Sequence, residues 1–559
     1  MRLPITILSI IFIFITSCSN KNYFDNTLVY FCDAEQLSPN KKHFIHNGIK
    51  FGGAKGFTSE EAYEGEYSCR LDSNLQYGFQ KTIDNLVPGE IITVSVYRKS
   101  SDWNSQGFLT IKSEDNSFYE NQKFSFSGKD KNGWEHLIFD VQVPNKLDKI
   151  KSLMVLVVNN NHKEEVIYFD NLLIQRTTLI NKQSNFTQEK EYGIEPLKIQ
   201  LSDVDYEKLF AMRDSAIYQK VISDNFKKYV SGLLLYNGES FPIAIRLKGD
   251  WTDHLIGSKW SFRIKIRQGQ SFMGLRQFSI QRPETRNFLD EWVVHEICND
   301  EDILSNRYRF HPVELNGHSL GVYAIEEHFT KQLVESKKRR EGPILKFNET
   351  GFWECNLYVK KHNKWPLNKA MYEAANILPF KQNRTLTSPS LKSQFLIAQN
   401  LMLKYKNGSP DINNYLEVDN LAKAYAIMTT SNVEHAFQWH NQRFYYNPVT
   451  SKLELIVFDC FSNPGETTHR MPKIYGNSKA GTHKLEPSLY SPFQVFNNPE
   501  FQKKYITYLK KYSSPEYLDS FFTSKKIKIA SLEKLISIDY PGYQYDESLF
   551  RQNAQKINS

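Results

Sequence analysis

The chain has 559 residues, 40% hydrophobic, 14% aromatic and 24% charged, a composition that excludes a disordered protein and supplies several sizeable cores. At ~150 residues per domain, two or three domains are expected. A net charge of +8 is mild on this length and no basic run is interleaved with aromatics, so no nucleic-acid partner is expected; KKRR at 337–340 reads as a solvated segment. No HExxH or Walker-A pattern occurs, which disfavours a zincin and a P-loop enzyme.

Residues 1–17, MRLPITILSIIFIFITS, have the order of a secretory signal: one Arg, an apolar run and a small-residue approach to Cys18. Ile15, Thr16, Ser17 and Cys18 resemble the lipobox of bacterial lipoproteins, which implies removal of the signal and lipidation at Cys18. Burial of acyl chains at ~0.8 kcal/mol per CH₂ would hold the protein on a membrane outside the cytoplasm, in the cell envelope at the periplasmic or outer-membrane face. No later stretch reaches the ~18 apolar residues of a membrane span.

Residues 26–177 are read as short alternating strands, among them EIITVSVYR, FLTIKS, HLIFDVQV, SLMVLVVNN and VIYFDNLLI, punctuated by Gly, Asn, Asp and Pro. This spacing predicts an all-β antiparallel sandwich. AYEGEYSCRLD, LVPGEIITVSVYRKS, GWEHLIFDVQVP and the closing VIYFDN resemble jelly-roll carbohydrate-binding modules. The resemblance implies exposed aromatics for sugar stacking and a structural Ca²⁺; Tyr77, Phe79, Trp103 and Trp134 are candidates by type. Five cysteines follow Cys18 without CxxC spacing; Cys32 and Cys69 can pair within this domain, and buried free thiols are the plainer reading.

Residues 178–196 are polar and aperiodic and are assigned to a linker. A helix is expected around DVDYEKLFAMRDSAI, then a hairpin, YVSGLLLYNGESFPIAIRLKG, turning at Asn237-Gly238. After RLKGDWTDH comes KWSFRIKIRQG, where Phe262, Ile264 and Ile266 alternate with Lys259, Ser261, Arg263, Lys265 and Arg267. The strand period places the apolar set on a core and the basic set on the opposite face, with side chains repeating at ~6.7 Å. QFSIQ reads as a strand and FLDEWVVHEICND as a helix with the stripe Leu289, Trp292, Val293, Glu296 and Ile297. VELNGHSLGVYAIEEHF reads as two strands about Asn316-Gly317, and RFYYN and KLELIVF as a hairpin about Pro448 that places Asp459 at a strand end. Beyond about residue 470 the apolar spacing of three and four predicts two or three amphipathic helices.

RLKGDWTDH, KWSFRIKI, FMGLRQFSIQ, NFLDEWVVHEI, LNGHSLGVYAIEEHF and RFYYNPVTSKLELIVFD resemble the CotH family, atypical kinases named for spore-coat protein H, from about 197 to 550. The resemblance implies an α+β protein-kinase-like core over 197–470 with a helical C-terminal region over 471–559. It also implies a nucleotide such as ATP with Mg²⁺, and phosphoryl transfer to a protein, glycan or other hydroxyl acceptor in the envelope. Arg246 and Lys248 would contact phosphates, Lys259 or Lys265 would be the strand lysine, Glu291 its helix partner, and Glu327 the hinge-like acid; Lys346 is a weaker match. Asn441 and Asp459 would hold the metal. The kinase base position, five residues before Asn441, is Ala436, which leaves Glu434 or His435; the second acid of the family's D-x-D is Phe461. These departures make a catalytically degenerate scaffold or a glycan-binding surface lipoprotein the alternative.

Overall fold

The computed structural model describes residues 27–559 apart from 88–89, 101–104, 106, 123–131, 144–149, 161–164, 178–191, 220, 256, 258, 363–371, 462–493 and 541–542. The signal segment, Cys18, Trp103 and most of the linker therefore lie outside the described residues.

The N-terminal unit is a two-sheet antiparallel sandwich. In one sheet Trp134–Gln142, Ile91–Ser100, Ile167–Thr177, Ser68–Leu71 and Phe57–Thr58 lie side by side, and Thr27–Cys32 also pairs Ile167–Thr177. The other sheet runs Tyr77–Ile83, Leu153–Asn159, Gly107–Ser113, Tyr119–Gln122. Alternation builds the core as expected: Ile92, Val94 and Val96 meet Leu109, Ile111, Val155 and Val157 between the sheets. Cys32 and Cys69 are free and buried in that core, so no disulfide joins them.

The second unit begins on a closed seven-stranded barrel: β1 (Leu197–Gln200), β2 (Val230–Tyr236), β3 (Glu239–Leu247), β4 (Phe262–Ile266), β5 (Gln277–Gln281), β6 (Tyr308–Leu315) and β7 (His318–Glu327). The spatial order is β1-β2-β3-β4-β5-β7-β6, and parallel pairing of β1 with β6 closes it. The two hairpin turns fall at Asn237-Gly238 and Asn316-Gly317, all four residues at positive φ. Ile243, Ile245, Ile264, Phe278, Ile280 and Ile325 fill the interior with Tyr206, Leu209 and Phe210 of helix α1 (Asp203–Gln219). Lys259 precedes β4 instead of lying on it, because pairing with β3 begins at Phe262.

Interior parity fixes the exterior. Arg246, Arg263, Ser279 and Glu326 are successive register partners across β3, β4, β5 and β7, forming one polar row on the outer wall. This wall faces a second lobe built on the sheet β9-β8-β10-β11, where β8 is Ile344–Phe347, β9 Ile377–Pro379, β10 Arg443–Asn447 and β11 Lys452–Ile456. Helix α2 (Asp290–Asp300) and the almost wholly buried α5 (Val418–Thr430) share that lobe's core with α3 (Thr350–His362) and α4 (Pro389–Lys406). Three C-terminal helices, Pro499–Tyr512, Pro515–Ser537 and Ser548–Asn558, complete it. Asn498 and Ser514 cap the first two by accepting the N–H of Phe501 and Tyr517, each with Pro at the first position. Glu296, expected on the buried stripe of α2, instead pairs Lys525 and Lys528 at 3.2 and 3.1 Å.

Two polar contacts link the two units among the described residues, His136 of the sandwich with Glu284 at 3.8 Å and a buried one on Asp140. Asp140 of the sandwich accepts from Arg213 of α1 at 2.5 Å, from the Gly257 N–H at 3.0 Å and from Thr93 of its own sheet at 2.5 Å.

Candidate functional site

The site forms where the basic wall meets the β10-β11 hairpin. Asp459 follows β11 with φ 60°, a left-handed conformation that Asp tolerates better than most residues and that turns the chain at the strand end. Asn441 lies in the single turn before β10, and its Nδ2 donates to Asp459 Oδ2 at 2.7 Å. Asp459 Oδ1 stands 2.6 Å from Arg286 Nη2 but makes no aligned hydrogen bond. Arg286 also reaches Glu291 Oε2 at 3.2 Å, so one guanidinium bridges the helix acid and the strand-end acid. Burial pushes the Asp459 carboxyl up, but Arg286, His435 and Lys248 outweigh it and hold the group well below the usual carboxylate range.

Lys248 is buried at the end of β3 and donates to Gln281 Oε1. Its ion-pair partner is Glu326, at 3.3 Å. Burial lowers the Lys248 ammonium; Glu326 opposes that, and Asp459 is near enough to oppose it too. Arg246 and Arg263 stand beside it on the wall, and neither has a carboxylate within ion-pair distance among the described residues. Arg246 caps the Leu247 carbonyl at 2.7 Å and Arg263 donates to His328. Burial lowers Arg263 to about 10, Glu326 opposing.

The residues after Lys248 form a tight loop over the cleft. Gly249 has φ 108°, and a Cβ there would stand 2.2 Å from the His254 ring, so only glycine lets this loop fold back. His254 hydrogen-bonds Ser261 at 3.0 Å and is kept neutral by burial and by Lys248 and Arg286. Asp253 is pushed up to about 6 by burial. Trp251 crosses to the second lobe, meeting Trp353 of α3 edge-on at 5.4 Å.

Four expected roles are relocated. Lys259 pairs Asp539 at 3.3 Å, beside the Tyr540 hydroxyl at 3.3 Å, instead of Glu291. Lys265 is exposed on the wall and also does not meet Glu291, whose partners are Arg286 and His295, the latter at 3.3 Å. Glu327 points to the opposite side of β7 from the cleft and pairs Arg307 at 2.6 Å, because it shares parity with the interior residue Ile325. Lys346 pairs Glu349 at 3.1 Å, and Arg443 approaches the same carboxylate at 3.6 Å. Burial pushes Glu349 up and Arg443 and Lys346 reverse this, bringing it to about 2. Of the two base candidates, His435 stacks on Phe461 at 4.1 Å, with Nδ1 3.7 Å from Asp459 Oδ2; the Glu434 side chain lies outside the described residues. His440 is buried, brought down to about 4 by that burial, and stacked on Phe352 at 4.3 Å.

Sequence reasoning missed Arg286 and Glu326. Glu326 was legible: once Ile325 is assigned to the core, the period of two places its neighbour on the Lys248 face. Arg286 sits in a turn, Pro283–Arg286, whose side-chain direction no periodicity encodes.

A family described as CotH kinase protein matches residues 245–550, just over half the chain. The chain belongs to this family. Its CotH domain therefore spans the outer wall from β3 onward, the Asp459 hairpin and the C-terminal helices. No curated protein matches the chain. Solved structures similar to part of it include a family 16 carbohydrate binding module, at 16% identity over 21% of this chain and 82% of that chain, TM-score 0.17. The C-terminal family 22 module of Clostridium thermocellum Xyn10B has 15% identity over 27% and 96%, TM-score 0.19. The CBM22-1 xylan-binding domain of Paenibacillus barcinonensis Xyn10C has 12% identity over 27% and 94%, TM-score 0.19. Of the sandwich aromatics singled out from the sequence, Phe79 and Trp134 are buried and Tyr77 is 51% exposed.

Two donor sets of the CotH domain suit metal ions. Asp459 Oδ1 lacks an aligned hydrogen-bond donor, which fits a hard cation completed by phosphate and water oxygens; Asn441 turns Nδ2 to Asp459 Oδ2 and to the His435 carbonyl, so its oxygen would join only with the amide turned over. Glu291, His295 and Cys460, all buried, have ligand atoms within 4.8 Å of one another, the only such cluster of three among the described residues.

Proposed function

We propose that the CotH domain binds a nucleotide with Mg²⁺ and transfers its terminal phosphoryl group to a hydroxyl on a protein or glycan in the cell envelope. The observation that carries the reading is the convergence of Lys248, Arg286, Asn441 and Asp459 in one buried cluster beside Arg246 and Arg263, wall cations with no carboxylate within ion-pair distance among the described residues. Multiple cations are what a polyphosphate needs to be desolvated.

In this reading Lys248, Arg246 and Arg263 bind phosphate oxygens, and Asp459 with Asn441 would hold Mg²⁺. A bound Mg²⁺ supplies neutralisation of charge on the phosphate oxygens. The acceptor oxygen bonds to the terminal phosphorus as the bond to the bridging oxygen breaks, and the hydroxyl proton passes to the His435 imidazole. Asp459, 3.7 Å away, stabilises the imidazolium that forms.

His435→Gln in the full chain should lower the transfer rate by ~10²–10⁴ while leaving nucleotide affinity within twofold; an unchanged rate removes His435 as base. A second reading has support of its own: Arg286 lies on Asp459 Oδ1 at 2.6 Å where a cation would sit, and Ala436 occupies the base position. A ligand-binding domain without turnover would then show nucleotide affinity and no transfer to any acceptor.

The chain is proposed to act from the envelope through a lipid on Cys18, which fatty-acid labelling lost in Cys18→Ser would support. Among the described residues no helix is long and apolar enough to cross a membrane.

A further inference from the structure

Beyond the Asp459 cluster, the same basic wall continues into a cavity of about 200 Å³ lined by Lys265, Arg276, Lys331, Glu341, Lys381 and Arg384. Two of these cations are neutralised nearby: Lys331 pairs Glu335 at 3.0 Å and Arg384 pairs Glu341 at 2.5 Å. Lys265, Arg276 and Lys381 have no carboxylate within ion-pair distance among the described residues. Lys381 donates to Gln277, the register partner of Lys265, and Arg276 to the Gly269 carbonyl, so neutral oxygens hold these cations in place without cancelling their charge. Lys381 is itself in the left-handed region, φ 55°, at the start of a short helix, which fixes its Cα against β9. Burial, with Lys265 and Arg263 adding to it, brings the Lys381 ammonium down to about 8, as expected for cations crowded without a counter-ion.

The cavity is separate from the Asp459 cluster yet adjacent to it. Its wall includes Phe329 and Phe380, which pack on each other at 4.7 Å, and Phe329 meets Phe458, the neighbour of Asp459, at 5.0 Å. Lys265 is two residues along β4 from Arg263, ~6.7 Å at strand rise. The volume is below the ~300 Å³ at which pockets begin to take whole drug-sized ligands, so it suits a head group and not a complete nucleotide. Three uncompensated cations match a dianion better than a single carboxylate.

We propose that this cavity is a second phosphate site, taking a phosphate monoester on the acceptor and thereby holding it beside the Asp459 cluster. Its identification with the acceptor rests on the phosphoryl-transfer reading; its affinity for phosphate does not. The test titrates the full chain calorimetrically with inorganic phosphate, with acetate as the monoanion, and separately with Mg²⁺–ATP. Lys265→Ala/Lys381→Ala should weaken phosphate binding at least tenfold, keep Mg²⁺–ATP affinity within twofold and melt like the parent. Asp459→Asn should do the converse, so failure of either site is read independently. Phosphate binding unchanged in the double variant, or acetate bound as tightly as phosphate, overturns the proposal. Loss of Mg²⁺–ATP binding in the double variant also overturns it, since the cavity would then belong to the nucleotide site.

Discussion

Arg286→Met removes the one cation shared by Glu291 and Asp459, both buried, at 3.2 and 2.6 Å. Removing one partner of a buried ion pair costs ~3–5 kcal/mol, mostly from the charge left behind. Here each acid keeps a neighbour, Asn441 on Asp459 at 2.7 Å and His295 beside Glu291 at 3.3 Å, so the lower end, ~3 kcal/mol, applies. At about 2–4 °C per kcal/mol the melting temperature falls by roughly 6–12 °C. The penalty depends on pH in a defined direction. Asp459 is held below its ordinary 3.8 in the folded protein, so its contribution is present above that value and is lost as pH falls through the depressed one. The variant lacks this contribution, and its deficit against the parent therefore shrinks on acidification. Mg²⁺–nucleotide affinity should rise, because the guanidinium no longer competes for Oδ1. Urea unfolding at pH 7 and at about pH 2.5 measures the deficit and its pH dependence, and calorimetric titration with Mg²⁺–ATP measures the affinity; a deficit under 1 kcal/mol at pH 7, or one that does not shrink at the lower pH, refutes the bridging role.

Three further outcomes follow from particular contacts. Affinity for inorganic phosphate should fall as pH rises through 8, where Lys381 loses its proton while phosphate stays a dianion, and Lys381→Arg should flatten that profile; calorimetry at pH 7.5 and 9 checks it. Arg213→Met leaves Asp140 buried without its cation and should cost ~3–5 kcal/mol, splitting the calorimetric transition of the full chain as the sandwich uncouples from the barrel. Cys32, Cys69, Cys298, Cys355 and Cys460 are buried, with burial pushing the Cys32 and Cys298 thiols up to about 12. All five should react with a thiol reagent at the rate of unfolding, measured by absorbance with and without denaturant.

The sequence pattern located most elements because their signals are local. Ile264 and its alternating neighbours placed β4, Asn-Gly pairs placed two turns, and the stripe of α2 placed a helix that ends at Asp300. Barrel closure was not legible, since the parallel pairing of Leu197–Gln200 with Tyr308–Leu315 joins segments more than a hundred residues apart that carry no mark of their partnership. The site divides along the same line. Lys248, Asn441 and Asp459 were named from motifs and do converge, whereas the pairing of Lys259 with Asp539 depends on where the C-terminal segment docks. Glu291 was expected to pair Lys259 or Lys265 on family order, and Glu326, the acid that does pair Lys248, was not named although strand parity pointed to it.

The most direct test of the central claim is calorimetric titration of the full chain with Mg²⁺–ATP, set against Asp459→Asn and against ATP with the metal chelated. The parent should bind, and binding should be lost both in the variant and without Mg²⁺. Equal affinity in all three would contradict the assignment of Asp459 to a metal-dependent nucleotide site.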